Sequence, residues 1–99
     1  MSVDKYSFAF KRWSEVAKFQ DNCRYYCACA FMDKIFLFGG YNNGTRYNSC
    51  FQFNTSNYSW KEVARMNEAR ESSACAVFEE RIVVCGGYNG TVLNSVESV

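Results

Sequence analysis

The residues best able to do chemistry in this chain are its six cysteines, Cys23, Cys27, Cys29, Cys50, Cys75 and Cys85. Thiolates ligate soft metals, attack electrophiles and pair as disulfides. No two of them are spaced as CxxC and the chain contains no histidine, which removes zinc-finger ligand sets and every histidine-dependent catalytic arrangement. Glu15 and Glu62 could form an acid-base pair, but they recur at one position of an internal repeat and so belong to its framework. The expectation is a chain with no catalytic residues, no metal and no cofactor. The remaining composition is that of an ordinary soluble globular chain. Of 99 residues, 48% are hydrophobic and 21% charged, with a net charge of +1, which suits one small core. Lys and Arg are spread along the chain without a basic stripe, so nucleic acid is not an expected partner. The first twenty residues carry Asp4, Lys5, Lys11 and Arg12, and the longest uncharged apolar run, Cys27 to Met32, is far too short to span a bilayer. No membrane partner is expected, and a cytoplasmic location is.

What positions these residues is a duplication. Shifting the sequence on itself by 47 residues lays Trp13-Ser14-Glu15-Val16-Ala17 on Trp60-Lys61-Glu62-Val63-Ala64, and Gly39-Gly40-Tyr41-Asn42 on Gly86-Gly87-Tyr88-Asn89. Phe31 falls on Phe78 and Ile35 on Ile82. After the loss of one residue, Gly44-Thr45 lies on Gly90-Thr91 and Asn48-Ser49 on Asn94-Ser95, while upstream Val3 and Tyr6 lie on Cys50 and Phe53. A period of this length belongs to propeller blades or helical arrays, and the local pattern chooses between them. Residues 34 to 38 (KIFLF) and 81 to 85 (RIVVC) are short apolar runs closed by a double glycine, the pattern of buried strands. Residues 47 to 53, 58 to 64 and 73 to 78 fit half-buried strands, and no amphipathic helix of useful length occurs. One period therefore holds four strands, a to d. The expected fold is all-β, a propeller fragment of about two four-stranded antiparallel blades. Its expected divisions are strands c and d of one blade over 1–19, a complete blade over 20–66, and strands a to c of the next over 67–99.

The double glycine closing strand b (Gly39-Gly40, Gly86-Gly87), the aromatic ending strand c (Tyr6, Phe53) and the tryptophan opening strand d (Trp13, Trp60) together resemble the kelch repeat, across nearly the whole chain. Glycines are needed where a strand approaches its neighbour closely and turns, and Trp60 with Phe53 can fill the wedge between blades. The spelling of Met66-Asn67-Glu68-Ala69-Arg70 and Gly87-Tyr88-Asn89-Gly90 resembles the branch in which BTB and BACK domains precede a six-bladed propeller. That resemblance implies a substrate-recognition adaptor of a cullin-RING ubiquitin ligase, with cullin bound through a BTB region outside these residues. The alternative it leaves open is a kelch protein binding actin or another cytoskeletal partner. Copper or radical oxidases on the kelch fold would need histidine ligands, which this sequence lacks.

In an up-and-down blade the d-to-a and b-to-c connections emerge on one face, and loops on a rigid scaffold are where binding residues concentrate. The first group contains Asn22-Cys23-Arg24 and Ala69-Arg70-Glu71, the second Tyr41-Asn42-Asn43 with Arg46 and Tyr88-Asn89-Gly90 with Leu93. The resemblance implies ligand contacts at Arg24 and Glu71, Tyr41 and Tyr88, and Arg46 and Leu93, with Arg70 beside them as a further contact or as a brace between loops. If Arg24 and Arg46 share an opening, an acidic peptide is the natural partner. In the repeat frame Cys27, Cys29 and Cys75 lie on Ala74, Ala76 and Ala28, Cys50 on Val96 and Cys85 on Phe38, so these five read as reduced core residues. Cys23, beside Arg24 in a loop, is where a redox-sensing thiol would sit. Two blades bury their faces only against neighbours, so the chain reads as a piece of a longer propeller.

Overall fold

The computed structural model describes residues 1–19 and 23–99; Asn22 and the expected division at residue 20 lie outside them. Among the described residues every strand pairing is antiparallel, and within each sheet the strands lie in chain order. The first sheet pairs β1 (Ser2–Ser7) with β2 (Arg12–Lys18). The second has the order β3 (Cys27–Phe31), β4 (Lys34–Phe38), β7 (Cys50–Asn54), β8 (Ser59–Val63). Between β4 and β7 a small hairpin, β5 (Tyr41–Asn42) and β6 (Thr45–Arg46), stands apart from the sheet. The third sheet holds β9 (Ala74–Phe78), β10 (Arg81–Cys85) and β11 (Val96–Ser98), with β10 in the middle. This is the all-β arrangement of antiparallel sheets that the repeat predicts.

The apolar run of β4 is continuous because both faces of its sheet are covered. On one face Cys27, Phe38, Cys50 and Met66 form a buried cluster with Ile82 and Val84 of β10. On the other, Leu37 and Phe53 are buried, and Trp60, the cross-strand partner of Phe53, packs on it at 4.8 Å. Phe19, just beyond β2, closes over Trp60 at 4.5 Å and Phe51 at 4.9 Å. Tyr6 and Trp13 repeat the Phe53–Trp60 pair in the first sheet, in register and 5.2 Å apart. By the repeat's geometry, however, Trp13 points away from the second sheet, and no described residue covers it, so it is 68% exposed. Cys85 departs from its expected core position for the same reason. It takes Phe38's direction, on the outer face of the third sheet, and is exposed. Cys27 and Cys50 are buried, Cys23, Cys29 and Cys75 are half-buried, and no disulfide joins any of them.

The strand expected over 47 to 53 begins only at Cys50, because the preceding backbone bonds to loops. Tyr47 N–H donates to the Gly40 carbonyl, whereas the carbonyls of Tyr47 and Asn48 accept from Arg70 N–H and Met66 N–H. These bonds tie the b-to-c loop to the segment leaving β8. The double glycine permits that approach. A Cβ on Gly39 (φ +68°) would collide with the Arg70 carbonyl oxygen, and one on Gly87 (φ +94°) would stand 2.6 Å from the Glu71 carbonyl oxygen.

Candidate protein-binding face

The d-to-a and b-to-c connections meet at one edge, strand by strand. Arg24 and Tyr41 exchange backbone hydrogen bonds of 2.9 and 2.8 Å, and Glu71 and Tyr88 make the same exchange at 3.1 and 2.9 Å in the next repeat. The two d-to-a loops are joined as well, Ser72 N–H donating to the Tyr25 carbonyl at 2.6 Å. The backbone of the face is therefore fixed by its own hydrogen bonds.

Those side chains form a row of alternating rings and guanidinium groups. Arg24 lies 5.3 Å from the Tyr25 ring and 6.0 Å from the Tyr41 ring. Arg46, registered opposite Tyr41 in the β5–β6 hairpin, lies 5.2 Å from the Tyr41 ring and 4.9 Å from the Tyr88 ring. Arg46 thus crosses the boundary between repeats, and Glu71 approaches its guanidinium at 3.7 Å. Each guanidinium–ring contact is worth about 0.5–1 kcal/mol where exposed and about 2 where desolvated. The Arg46 Nε is buried without a hydrogen-bond partner, so the ion pair leaves part of this donor group unspent. Two arginines against one glutamate leave the row net positive. Leu93 is half-buried in the third sheet's b-to-c loop, its N–H donating to the Gly87 carbonyl at 2.9 Å.

The structure thus brings together Arg24, Tyr41, Arg46, Glu71 and Tyr88. Tyr25 belongs to the same row and was not singled out by the sequence; its place directly after Arg24 is the signal that pointed there. Arg70 is different. Its side chain is fully buried, 0% exposed, and it leaves the second blade to bind the third. Nη1 donates to the carbonyls of Gly86 (2.8 Å) and Ser95 (3.0 Å), and Nη2 to Ser95 Oγ (2.8 Å) and Glu97 Oε2 (3.1 Å). Glu97 also accepts from the backbone N–H groups of Asn67 at 2.7 Å and Glu68 at 3.0 Å. Burial alone would raise the Glu97 pKa, but the bonds from Asn67, Arg70 and Glu68, with the Arg70 charge, lower it below the ordinary value. Arg70 is consequently a brace between blades, and its expected contact with a partner is corrected: a guanidinium this enclosed has no surface to offer.

An apolar groove of about 280 Å³, lined chiefly by Phe31, Phe36, Phe38, Val63, Ile82 and Val99, opens at the opposite edge beside Glu80 and Arg81. It holds few polar anchors, whereas the loop row supplies rings and charges in a fixed order. Among the described residues no group of three or more Cys, Asp or Glu is arranged to hold a metal ion.

An all-β array of antiparallel sheets, closed by double glycines and presenting ordered loops on one edge, defines a propeller segment of the repeat type. The kelch motif matches residues 22–67 and again 69–99, and the chain belongs to the kelch family. Among curated proteins none matches it. Kelch repeats are protein-interaction modules, and the chain is a protein-binding propeller segment.

Proposed function

We propose that the loop face binds an acidic segment of a partner protein, and that the chain serves in the cytoplasm as the substrate-recognising part of a cullin-RING ubiquitin ligase adaptor. The observation that carries the first half is the shared position of two guanidinium groups: Arg24 and Arg46 both lie over the ring of Tyr41. A carboxylate entering there accepts from both forks, while Tyr25, Tyr41 and Tyr88 supply the contact area on which interface anchors depend. Glu71 holds Arg46 in place until the ligand's own carboxylate competes for it.

The adaptor role is supported by the resemblance of the Met66–Arg70 and Gly87–Gly90 segments to the BTB-BACK-kelch branch, and cullin would be reached only through a BTB region outside this chain. The test is co-purification of the product of the complete gene with a cullin, together with ubiquitination of a captured acidic-segment protein in a reconstituted reaction. Loss of that ubiquitination in Arg46→Ala, with cullin still bound, is the expected result. Sedimentation with filamentous actin and no cullin association overturns the adaptor reading in favour of a cytoskeletal one.

A further inference from the structure

Three cysteines meet across the boundary between the second and third sheets. Cys27 and Cys29 stand two apart on β3, hence on one face, and both pair toward the buried cluster. Cys75 stands on β9, which packs against β3, and turns toward the same cluster. Ser73 Oγ donates to Cys27 Sγ at 3.3 Å, and Cys29 and Cys75 both pack against the cluster that holds Cys27. In the repeat frame all three positions pair with alanine: Ala74, Ala76 and Ala28. A methyl group suffices for packing at each counterpart, so the three thiols are additions to the blade interface.

We propose that Cys29 and Cys75 are a site of oxidative modification, forming a disulfide that locks the second blade to the third. The oxidant is a peroxide. Burial raises the pKa of both thiols, but the S–H of Cys75 partly offsets this for Cys29, whereas Cys75 is raised further by its neighbours. The oxidation starts at Cys29. Its thiolate attacks one peroxide oxygen, the O–O bond breaks and hydroxide leaves, giving a sulfenic acid. The Cys75 sulfur then attacks the Cys29 sulfur, the S–S bond forms, and the second hydroxide departs and takes up the Cys75 proton. Two thiols and one peroxide become one disulfide and two waters, with two electrons passed to the peroxide. Both residues are half-buried whereas Cys27 is buried, which leaves these two as the members of the cluster open to a small oxidant.

The bond would span the boundary that Arg46 also spans, fixing the Arg46–Tyr88 side of the loop row. The test is peroxide treatment of the product of the complete gene, alkylation of the remaining thiols and peptide mapping by mass spectrometry. The expected product is a Cys29–Cys75 linkage, with a rise in melting temperature that Cys75→Ala abolishes. That variant installs the residue found at the matching position, Ala28, and retains the fold. The proposal is overturned if the linkages match those formed in concentrated urea, if Cys27 and Cys75 pair instead, or if Cys29 and Cys75 are both recovered alkylated while Cys85 is oxidised.

Discussion

Replacing Arg70 by methionine removes one enclosed guanidinium and keeps most of its length. Four hydrogen-bond acceptors depend on it: the Gly86 and Ser95 carbonyls, Ser95 Oγ and Glu97 Oε2, all at 2.8–3.1 Å. Breaking a buried charge pair by removing one partner costs about 3–5 kcal/mol. Glu97 retains its bonds from Asn67 and Glu68, which places the expected loss near the lower end, about 3 kcal/mol. Domains of this kind have about 5–15 kcal/mol in total. With a urea dependence of about 1–3 kcal/mol per molar, the unfolding midpoint should fall by roughly 1.5 M. Hydrogen exchange should locate the weakening at the contact between the segment after β8 and the β10–β11 pair. A change under about 1 kcal/mol, the size of an exposed ion pair, would refute the reasoning that Arg70 is a buried brace.

Glu97 makes the same brace sensitive to acid. Its folded pKa is lowered, so its stabilising contribution is present above the ordinary carboxyl value of 4.5 and is lost as pH falls through the folded value. Thermal melts across the acid range should show a decline that Glu97→Gln flattens. At Gly39, alanine should cost at least about 1–2 kcal/mol from the left-handed backbone, plus displacement of the Arg70 carbonyl. The same change at Gly44 (φ +88°), with open space around it, should cost only the backbone share, as paired chemical denaturations would show. The β9–β10 turn places Glu79 and Glu80 at φ +50° and +61°, a geometry that favours Asn-Gly; installing that pair should raise stability by about 1 kcal/mol in the same assay.

The elements legible in the sequence are those whose signals are local. Residues 34–38 and 81–85 form strands with those bounds, because a short apolar run closed by two glycines leaves little choice of structure. The Phe53–Trp60 contact follows from alternation plus the repeat. What was not legible depends on pairings between repeats. The sequence leaves Arg70 open between a partner contact and a brace, since its partner Glu97 lies in a strand of the following blade. Cys85 reads as core from its equivalence to Phe38, yet burial at that position requires a further sheet against it. The β5–β6 hairpin was missed because Tyr-Asn-Asn-Gly-Thr-Arg is too short and polar to show a strand pattern. The thiol cluster was hidden because its members occupy different repeat positions and meet only when blades stack.

The central claim is that the Arg24–Tyr41–Arg46 row captures carboxylates. It is tested most directly by fluorescence anisotropy of a labelled acidic peptide panel against the wild-type chain and its Arg46→Ala and Glu71→Ala variants. An interface anchor of this type is worth about 2 kcal/mol, so the best acidic peptide should lose roughly thirtyfold in affinity with Arg46→Ala. Glu71→Ala should leave binding unchanged or tighter, because it frees the Arg46 guanidinium. Equal losses in both variants, or equal binding of neutral peptides of matched composition, would contradict the account.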